Sequence, residues 1–284
     1  MSASPASLEA ALADPYPLTD AAREQFREDG FIRLPKVFCA EVLSALEPAI
    51  TADTLAHDRS AGVPLEDRDT YGKAFIQVGN LWERCPEARS LTFSKRLARI
   101  AAELLGTRGV RLWHDQALYK EPAGGFTPWH ADQQYWPMAS GLSVTAWIPL
   151  HAVPLEMGPL SFARGSHRKR IGRELAISEE SERLIREAVR DQGLDEVIEP
   201  YANGDVSFHL GWTLHRAGPN TTAHPRKVHT VIFMDIDMLL AEPKNDAQRL
   251  DHQTWTPSTE IGQVMADPRN PVLYEAASSE AATG

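Results

Sequence analysis

The sequence predicts a mainly β domain with flanking α-helices, and three observations carry that expectation. Helical periodicity is concentrated ahead of Gly106, β-rich runs separated by Gly/Pro turns follow it, and no repeat at a period of roughly 20–50 residues suggests a solenoid or propeller. The chain has 284 residues, 43% hydrophobic and 24% charged, enough to bury a large core without disulfides or a structural metal. A metal here would serve function.

Taken in order, residues 1–17 read as a flexible N-terminal segment, Ala/Ser/Pro-rich and acidic, and 18–274 as a single domain. Thr19 is placed to cap a helix that runs through Asp29 and stops at Gly30, and Phe31 to Phe38 reads as a short strand. A second helix is expected over Ala40 to Leu55. The strongest follows Ser94 as N-cap, with Leu97, Ile100, Ala101 and Leu104 at helical spacing and Gly106 as its stop. The period then changes. Val110–Lys120, Leu142–Leu150, Val206–Leu210 and Val228–Ile236 are β-rich, implying a mainly antiparallel core. A polar helical insertion near 178–192, with Leu184, Ile185, Ala188 and Val189 as its apolar stripe, reads as a flap or solvent-facing cover. Residues 275–284 are small and polar, a flexible tail.

Composition narrows the function. The 29 basic against 39 acidic residues give a net charge of −10, which disfavours nucleic acid and anionic membrane surfaces as partners. Cys39 and Cys85 stand far apart with no CxxC, arguing against a zinc ribbon, a dithiol motif or a disulfide framework, and for a reducing cytoplasm. No signal-peptide pattern opens the chain, and no run reaches the ~18 apolar residues of a membrane span.

Chemistry gathers around Thr127-Pro-Trp-His130-Ala-Asp132. A histidine and an aspartate two apart on a strand share a face and can share a metal ion, although the same pair alone serves equally well as a hydrogen-bonded structural device. The later run from Gly204-Asp205 to His215, followed by Arg226 on the returning strand, adds a second imidazole and an anion site. Two histidines and one carboxylate leave metal positions open for a co-substrate and O2, the arrangement of non-haem Fe(II) enzymes, whereas catalytic zinc usually comes with HExxH or cysteine ligands. The planar fork of Arg226 suits a carboxylate, such as the far end of 2-oxoglutarate. His209, six residues before His215, is the rival ligand or a cross-strand packing residue; His114, His224 and His229 read as structural.

At these residues the sequence resembles the phytanoyl-CoA dioxygenase-like Fe(II)/2-oxoglutarate-dependent oxygenases, over roughly Leu18 to Ile236. The resemblance rests on Phe26-Arg-Glu-Asp-Gly-Phe-Ile, Ala117-Leu-Tyr-Lys120-Glu-Pro, Trp129-His130-Ala-Asp132, Val144-Thr-Ala-Trp147-Ile-Pro-Leu, the Met157–His167 segment, and Gly204-Asp205 leading to His215 and Arg226. It implies a double-stranded β-helix, a cupin-like jelly roll. It also implies that His130, Asp132 and His215 hold Fe(II), that Arg226 holds the distal carboxylate of 2-oxoglutarate, and that Trp147 and Gln116 stand near the co-substrate. Ala217 replaces a serine that many members use beside the arginine, so Thr145 is the hydroxyl expected to substitute. His151 replaces an acidic residue and Met157 an asparagine. Relatives that halogenate lack the metal-binding carboxylate; Asp132 is present, which favours oxygen transfer.

The expected activity is hydroxylation of an unactivated C–H bond of a small molecule by an Fe(II)- and 2-oxoglutarate-dependent dioxygenase using O2, releasing succinate and CO2. Two alternatives remain open at this level: a cupin-like metal-dependent hydrolase or isomerase, and a non-catalytic metal- or oxoglutarate-binding sensor. Tyr135 and Trp136 are candidates for the substrate wall or for plain core packing. The basic run over 164–173, with Arg168 and Arg170, offers an anionic-substrate contact or a solvated loop. Asp67-Arg68-Asp69, between Gly62 and Gly72, forms a charged loop that lines the entrance or merely maintains solubility. Oligomeric state is not legible in the sequence.

Overall fold

The structure is a computed structural model that describes residues 5–277. The first part holds α1 (Pro5–Ala13), α2 (Asp20–Asp29), β1 (Phe31–Leu34), α3 (Ala40–Ala56), α4 (Thr70–Ala74), β2 (Ile76–Gly79), α5 (Pro86–Thr92) and α6 (Lys95–Leu105). Thr19 caps α2 through the Ala22 N–H, Ser94 caps α6 through the Leu97 N–H, and Gly30 and Gly106 end these helices in the left-handed conformation. Two expectations change here. Part of the segment expected to be flexible is helix α1, tied to α6 where the Ser94 hydroxyl donates to the Leu12 carbonyl. The strand expected over 31–38 stops at Leu34, because Pro35 has no N–H for the ladder and Lys36 turns to a φ of 52°.

The second part supplies β3 (Gly109–Tyr119), β4 (Thr127–His130), β5 (Ser143–Pro149), β6 (Leu160–Ala163), α7 (Glu179–Asp191), β7 (Glu196–Ile198), β8 (Val206–Leu210), β9 (His215–Ala217), β10 (Val228–Asp235), α8 (Asp246–Trp255) and β11 (Val272–Glu275). The strands form two antiparallel sheets. One has seven strands in the order β1-β8-β5-β10-β3-β11, with β2 also on β3; the other runs β4-β9-β6-β7. The tail expected over 275–284 begins at the last residue of β11, and 278–284 lie outside the described residues.

Alternation along the strands separates two environments. Val144, Ala146 and Ile148 of β5 and Val231 and Phe233 of β10 face α3, α5 and α6 in one apolar cluster. Their neighbours Thr145, Trp147 and Thr230 face the other way, into the space between the sheets. There Phe31 and Trp147 of the large sheet meet Leu160, Phe162 and Ala217 of the small one, and Phe31 stacks on Phe162 at 4.4 Å. The fold is a jelly roll whose helices cover one face and whose interior opens as a cavity.

The insertion near 178–192 is α7, but it is a buttress rather than a flap. Ile185 and Val189 are buried against Trp129 and Leu214, Glu182 accepts the Trp129 N–H at 2.8 Å, and the Ser181 hydroxyl donates to the Trp129 carbonyl at 3.2 Å. The helix therefore braces β4 from behind.

Candidate active site

His130 ends β4 and His215 begins β9, and the two are direct cross-strand partners, their rings 4.1 Å apart. Each Nδ1–H donates to the carbonyl two residues earlier, His130 to Pro128 at 2.7 Å and His215 to Thr213 at 3.0 Å. Since a carbonyl only accepts, both Nε2 lone pairs are left pointing into the cavity. Asp132, in the short turn after β4, places Oδ1 3.5 Å from His130 Nε2 and 3.6 Å from His215 Nε2. One ligand atom from each of the three lies within 4.8 Å of the others. Two imidazole nitrogens and a carboxylate oxygen at this spacing fit a divalent cation of the iron type.

The other carboxylate oxygen is held from the large sheet. His209 Nε2 stands 3.3 Å from Asp132 Oδ2 and the Thr145 hydroxyl donates to it at 3.2 Å. His209, the rival ligand of the sequence reading, thus lies outside the three converging residues and orients one of them. Burial alone would raise the Asp132 carboxyl, but His215, His130 and His209 outweigh it and hold it well below the usual carboxylate range. Burial and the neighbouring His130 push His215 well below its ordinary value. The imidazole is therefore neutral, the state that ligates metal.

Arg226 is 1% exposed and lines the same cavity. Its guanidinium donates to the Gly158 carbonyl and lies 5.3 Å from the Trp147 ring, while its Nε has no partner among the described residues. Gly158 is required where this turn packs against the 218–219 backbone. It sits at φ +70°, and a Cβ there would meet the Gly218 carbonyl at 2.3 Å. Burial lowers Arg226 to about 10, with Tyr201 acting in the opposite direction. A buried guanidinium without a carboxylate is a site prepared for an anion.

Gln116, Thr145, Trp147, Tyr135 and Trp136 also line the cavity of about 500 Å³. Thr145 is engaged by Asp132 rather than by Arg226; the hydroxyl directly across from Ala217 is that of Thr127, its strand partner. Met157 packs in the core between the sheets, and His151 accepts the Lys227 N–H, so both departures from the family pattern have structural roles. Lys120 is fully buried beside the arginine, donating to the Gly125 carbonyl. Arg168 and Arg170 are exposed. Arg168 borders a separate surface hollow with Glu28, Asp29 and Asp195, so the basic run is not part of this cavity.

Several lining residues escaped the sequence reading. His114 faces the cavity and stacks on Trp255 at 4.7 Å, rather than being purely structural. In the charged loop after Gly62, Arg68 pairs with Glu121 and Asp69 caps α4, which carries Tyr71 to the cavity. From α8 come Ala247, Leu250, Asp251 and Trp255, spaced as one helical face. That spacing was available in the sequence, but nothing in it showed what the face would meet.

A jelly roll that gathers two imidazoles and a carboxylate between its sheets defines a cupin-like metalloprotein class. Comparison with known proteins is more specific. The sequence model of the phytanoyl-CoA dioxygenase (PhyH) family matches residues 26–228, and the chain belongs to that family. It is 28% identical over 190 residues to 1-deoxypentalenic acid 11-beta-hydroxylase of Streptomyces exfoliatus, a match spanning 64% of this chain and 63% of that relative. Among solved structures it resembles SnoK, a non-haem alpha-ketoglutarate-dependent carbocyclase from nogalamycin biosynthesis, at 25% identity and a TM-score of 0.75, covering 92% of this chain and 99% of that one. The epimerase SnoN from the same biosynthesis aligns at 25% identity and a TM-score of 0.70, over 95% and 100% of the two chains.

Proposed function

We propose that the protein is an Fe(II)- and 2-oxoglutarate-dependent dioxygenase that hydroxylates a C–H bond of a small molecule with release of succinate and CO2. The observation that carries this reading is the pairing, in one cavity, of a three-residue metal site with a buried arginine that lacks a counter-ion. Iron with 2-oxoglutarate and O2 supplies, when bound, the oxidising power for the C–H bond. His130, Asp132 and His215 hold the metal, their orientations set by the Pro128 and Thr213 carbonyls and by His209 and Thr145. Arg226 binds the distal carboxylate, Trp147 walls its guanidinium, and Thr127 is the hydroxyl nearest to the role vacated at Ala217. Gln116 lines the same cavity and would contact the co-substrate, and Tyr135 and Trp136 would exclude water from the reacting centre. Among the described residues no helix is long and apolar enough to cross a membrane. The two distant free cysteines support a cytoplasmic setting.

The test is succinate release with O2 uptake from protein reconstituted anaerobically with Fe(II), screened over a panel of small molecules, with Asp132→Ala as control. Substrate-dependent succinate formation that disappears in the variant is expected. Substrate conversion without succinate would instead indicate a hydrolase or isomerase, and 2-oxoglutarate binding without O2 uptake a sensor. SnoK and SnoN, a carbocyclase and an epimerase by name, favour ring closure or epimerisation as the second reading. Product mass separates the outcomes: a gained oxygen, two lost hydrogens, or no change.

A further inference from the structure

The same cavity includes a part, the chamber, lined by Tyr71, Phe75, Tyr135, Trp136, Leu250 and Trp255. Its charge balance is uneven. Arg226, at the co-substrate end, is the sole arginine or lysine among the lining residues, whereas the chamber holds a second carboxylate, Asp251 of α8. Asp251 is half-buried, and no lysine, arginine or histidine lies within ion-pairing distance of it among the described residues. Burial raises its carboxyl to about 7, offset in part by the Trp255 side chain. A carboxylate enclosed by aromatic rings and left without a cation costs stability in the empty protein, and a ligand cation would remove that cost. The aromatic side chains that line the same chamber favour the same kind of ligand through cation–π attraction. Several other polar groups of the chamber are already engaged: the Tyr71 hydroxyl donates to Gln77 Oε1, Gln77 Nε2 donates to Gln116 Oε1, and the Tyr135 oxygen accepts the Ile177 N–H, while His114 Nδ1 has no partner among the described residues.

We propose that the substrate has an apolar ring-containing body bearing a protonated amine, and that Asp251 is the residue that selects the amine. This inference rests on the oxygenase reading only for what happens to the bound molecule. It disfavours phosphate- or CoA-bearing substrates, for which the chamber offers no cation and the exposed basic run is misplaced. Asp251 also lies beyond residues 26–228, the stretch matched by the family model.

The experiment uses three matched probes, tryptamine, tryptophol and indoleacetate, titrated calorimetrically into the full chain with and without Fe(II) and 2-oxoglutarate under anaerobic conditions. Wild type should bind tryptamine about tenfold or more tighter than tryptophol, with indoleacetate weakest, as expected for a charge-assisted contact. Asp251→Asn should lower tryptamine affinity to the tryptophol level while leaving tryptophol unchanged, and Asp251→Ala should reproduce that loss. Equal binding of amine and alcohol by wild type, or an amine preference that survives both substitutions, overturns the proposal. The two readings separate cleanly. An Asp251-dependent amine preference in a protein that never releases succinate refutes the oxygenase reading alone, and succinate release coupled to anionic molecules only refutes this one alone.

Discussion

Arg226 occupies an enclosed position in which, among the described residues, its guanidinium makes one hydrogen bond, to a backbone carbonyl, and its Nε has no partner. Such a residue is retained at a cost that a bound carboxylate offsets. Replacing it with alanine should weaken 2-oxoglutarate binding about 10- to 150-fold, the range for a lost hydrogen bond to a charged group of roughly 1.5–3 kcal/mol. Iron affinity should stay the same, because the arginine is absent from the metal set. Arg226→Lys should recover part of the loss, since an ammonium lacks the planar fork. Anaerobic titration followed through the metal-to-ligand absorption of the chelate reads all of these. An unchanged affinity in the alanine variant would move the anion site to the neighbouring Lys120.

At the level of elements, β3 and β10 carry different chemistry on their two faces. Toward the cavity they present His114, Gln116 and Thr230; toward the helices they bury Asp115 and His229, joined by the Thr92 hydroxyl at 2.8 Å from Asp115 Oδ2 and 2.9 Å from His229 Nε2. Burial raises the Asp115 carboxyl to about 7, with Thr92 and the Trp82 N–H acting against it, and burial pushes His229 down to about 3. Both groups are therefore favoured neutral. Asp115, raised from 3.8, contributes stability that is present below that value and lost as pH rises through about 7. His229, lowered from 6.5, contributes stability present above that value and lost as pH falls through about 3. In wild type the two slopes oppose each other across the shared window. Relative to wild type, Asp115→Asn should gain stability between about pH 4.5 and about pH 6.5 and His229→Gln should lose it, each by about 1–2 kcal/mol in urea unfolding. Profiles parallel to wild type in both variants would mean that neither group is held neutral.

For the molecule as a whole, the division of the site between sheets matters. His130 and His215 belong to the small sheet, with Asp132 directly after β4, whereas Trp147 belongs to the large sheet and Arg226 stands just ahead of its strand β10. On the proposed assignment a metal would engage one side, and metal and 2-oxoglutarate together would engage both. Ligand present at about 100 times its Kd stabilises the folded state by about 2.7 kcal/mol, or about 4–5 °C in Tm for a domain of this size. Anaerobic thermal unfolding should show a rise with Fe(II), a larger one with Fe(II) plus 2-oxoglutarate, and reversal by a chelator. Arg226→Ala should keep the first increment and lose the second; a variant that keeps both would place the co-substrate elsewhere.

Much of this arrangement was legible in the chain. His130 and Asp132 lie two apart, where the strand period suggests a shared face, and His215 and Arg226 bracket the turn that returns to the sheet. The helices α2 and α6 were legible at both ends because caps and left-handed glycines are local devices. The position of α7 was not. Its stripe of Ile185 and Val189 says that one face is buried, but only packing decides that the buried face meets Trp129 and braces β4.

What the sequence determined by itself, then, was whatever depends on spacing within one segment: strand alternation, helix ends, the HxD pair and the family to which these motifs point. The tertiary structure alone decided that His209 contacts Asp132 from outside the three converging residues, that Thr145 is taken by the same carboxylate, and that the basic run lies outside the cavity lining. It also decided that Tyr71 and Asp251, which no local period links, line one chamber. The physical reason is that a hydrogen bond or a cavity wall depends on distance in space, and distances between segments far apart in the chain are set by how the two sheets and the helices pack.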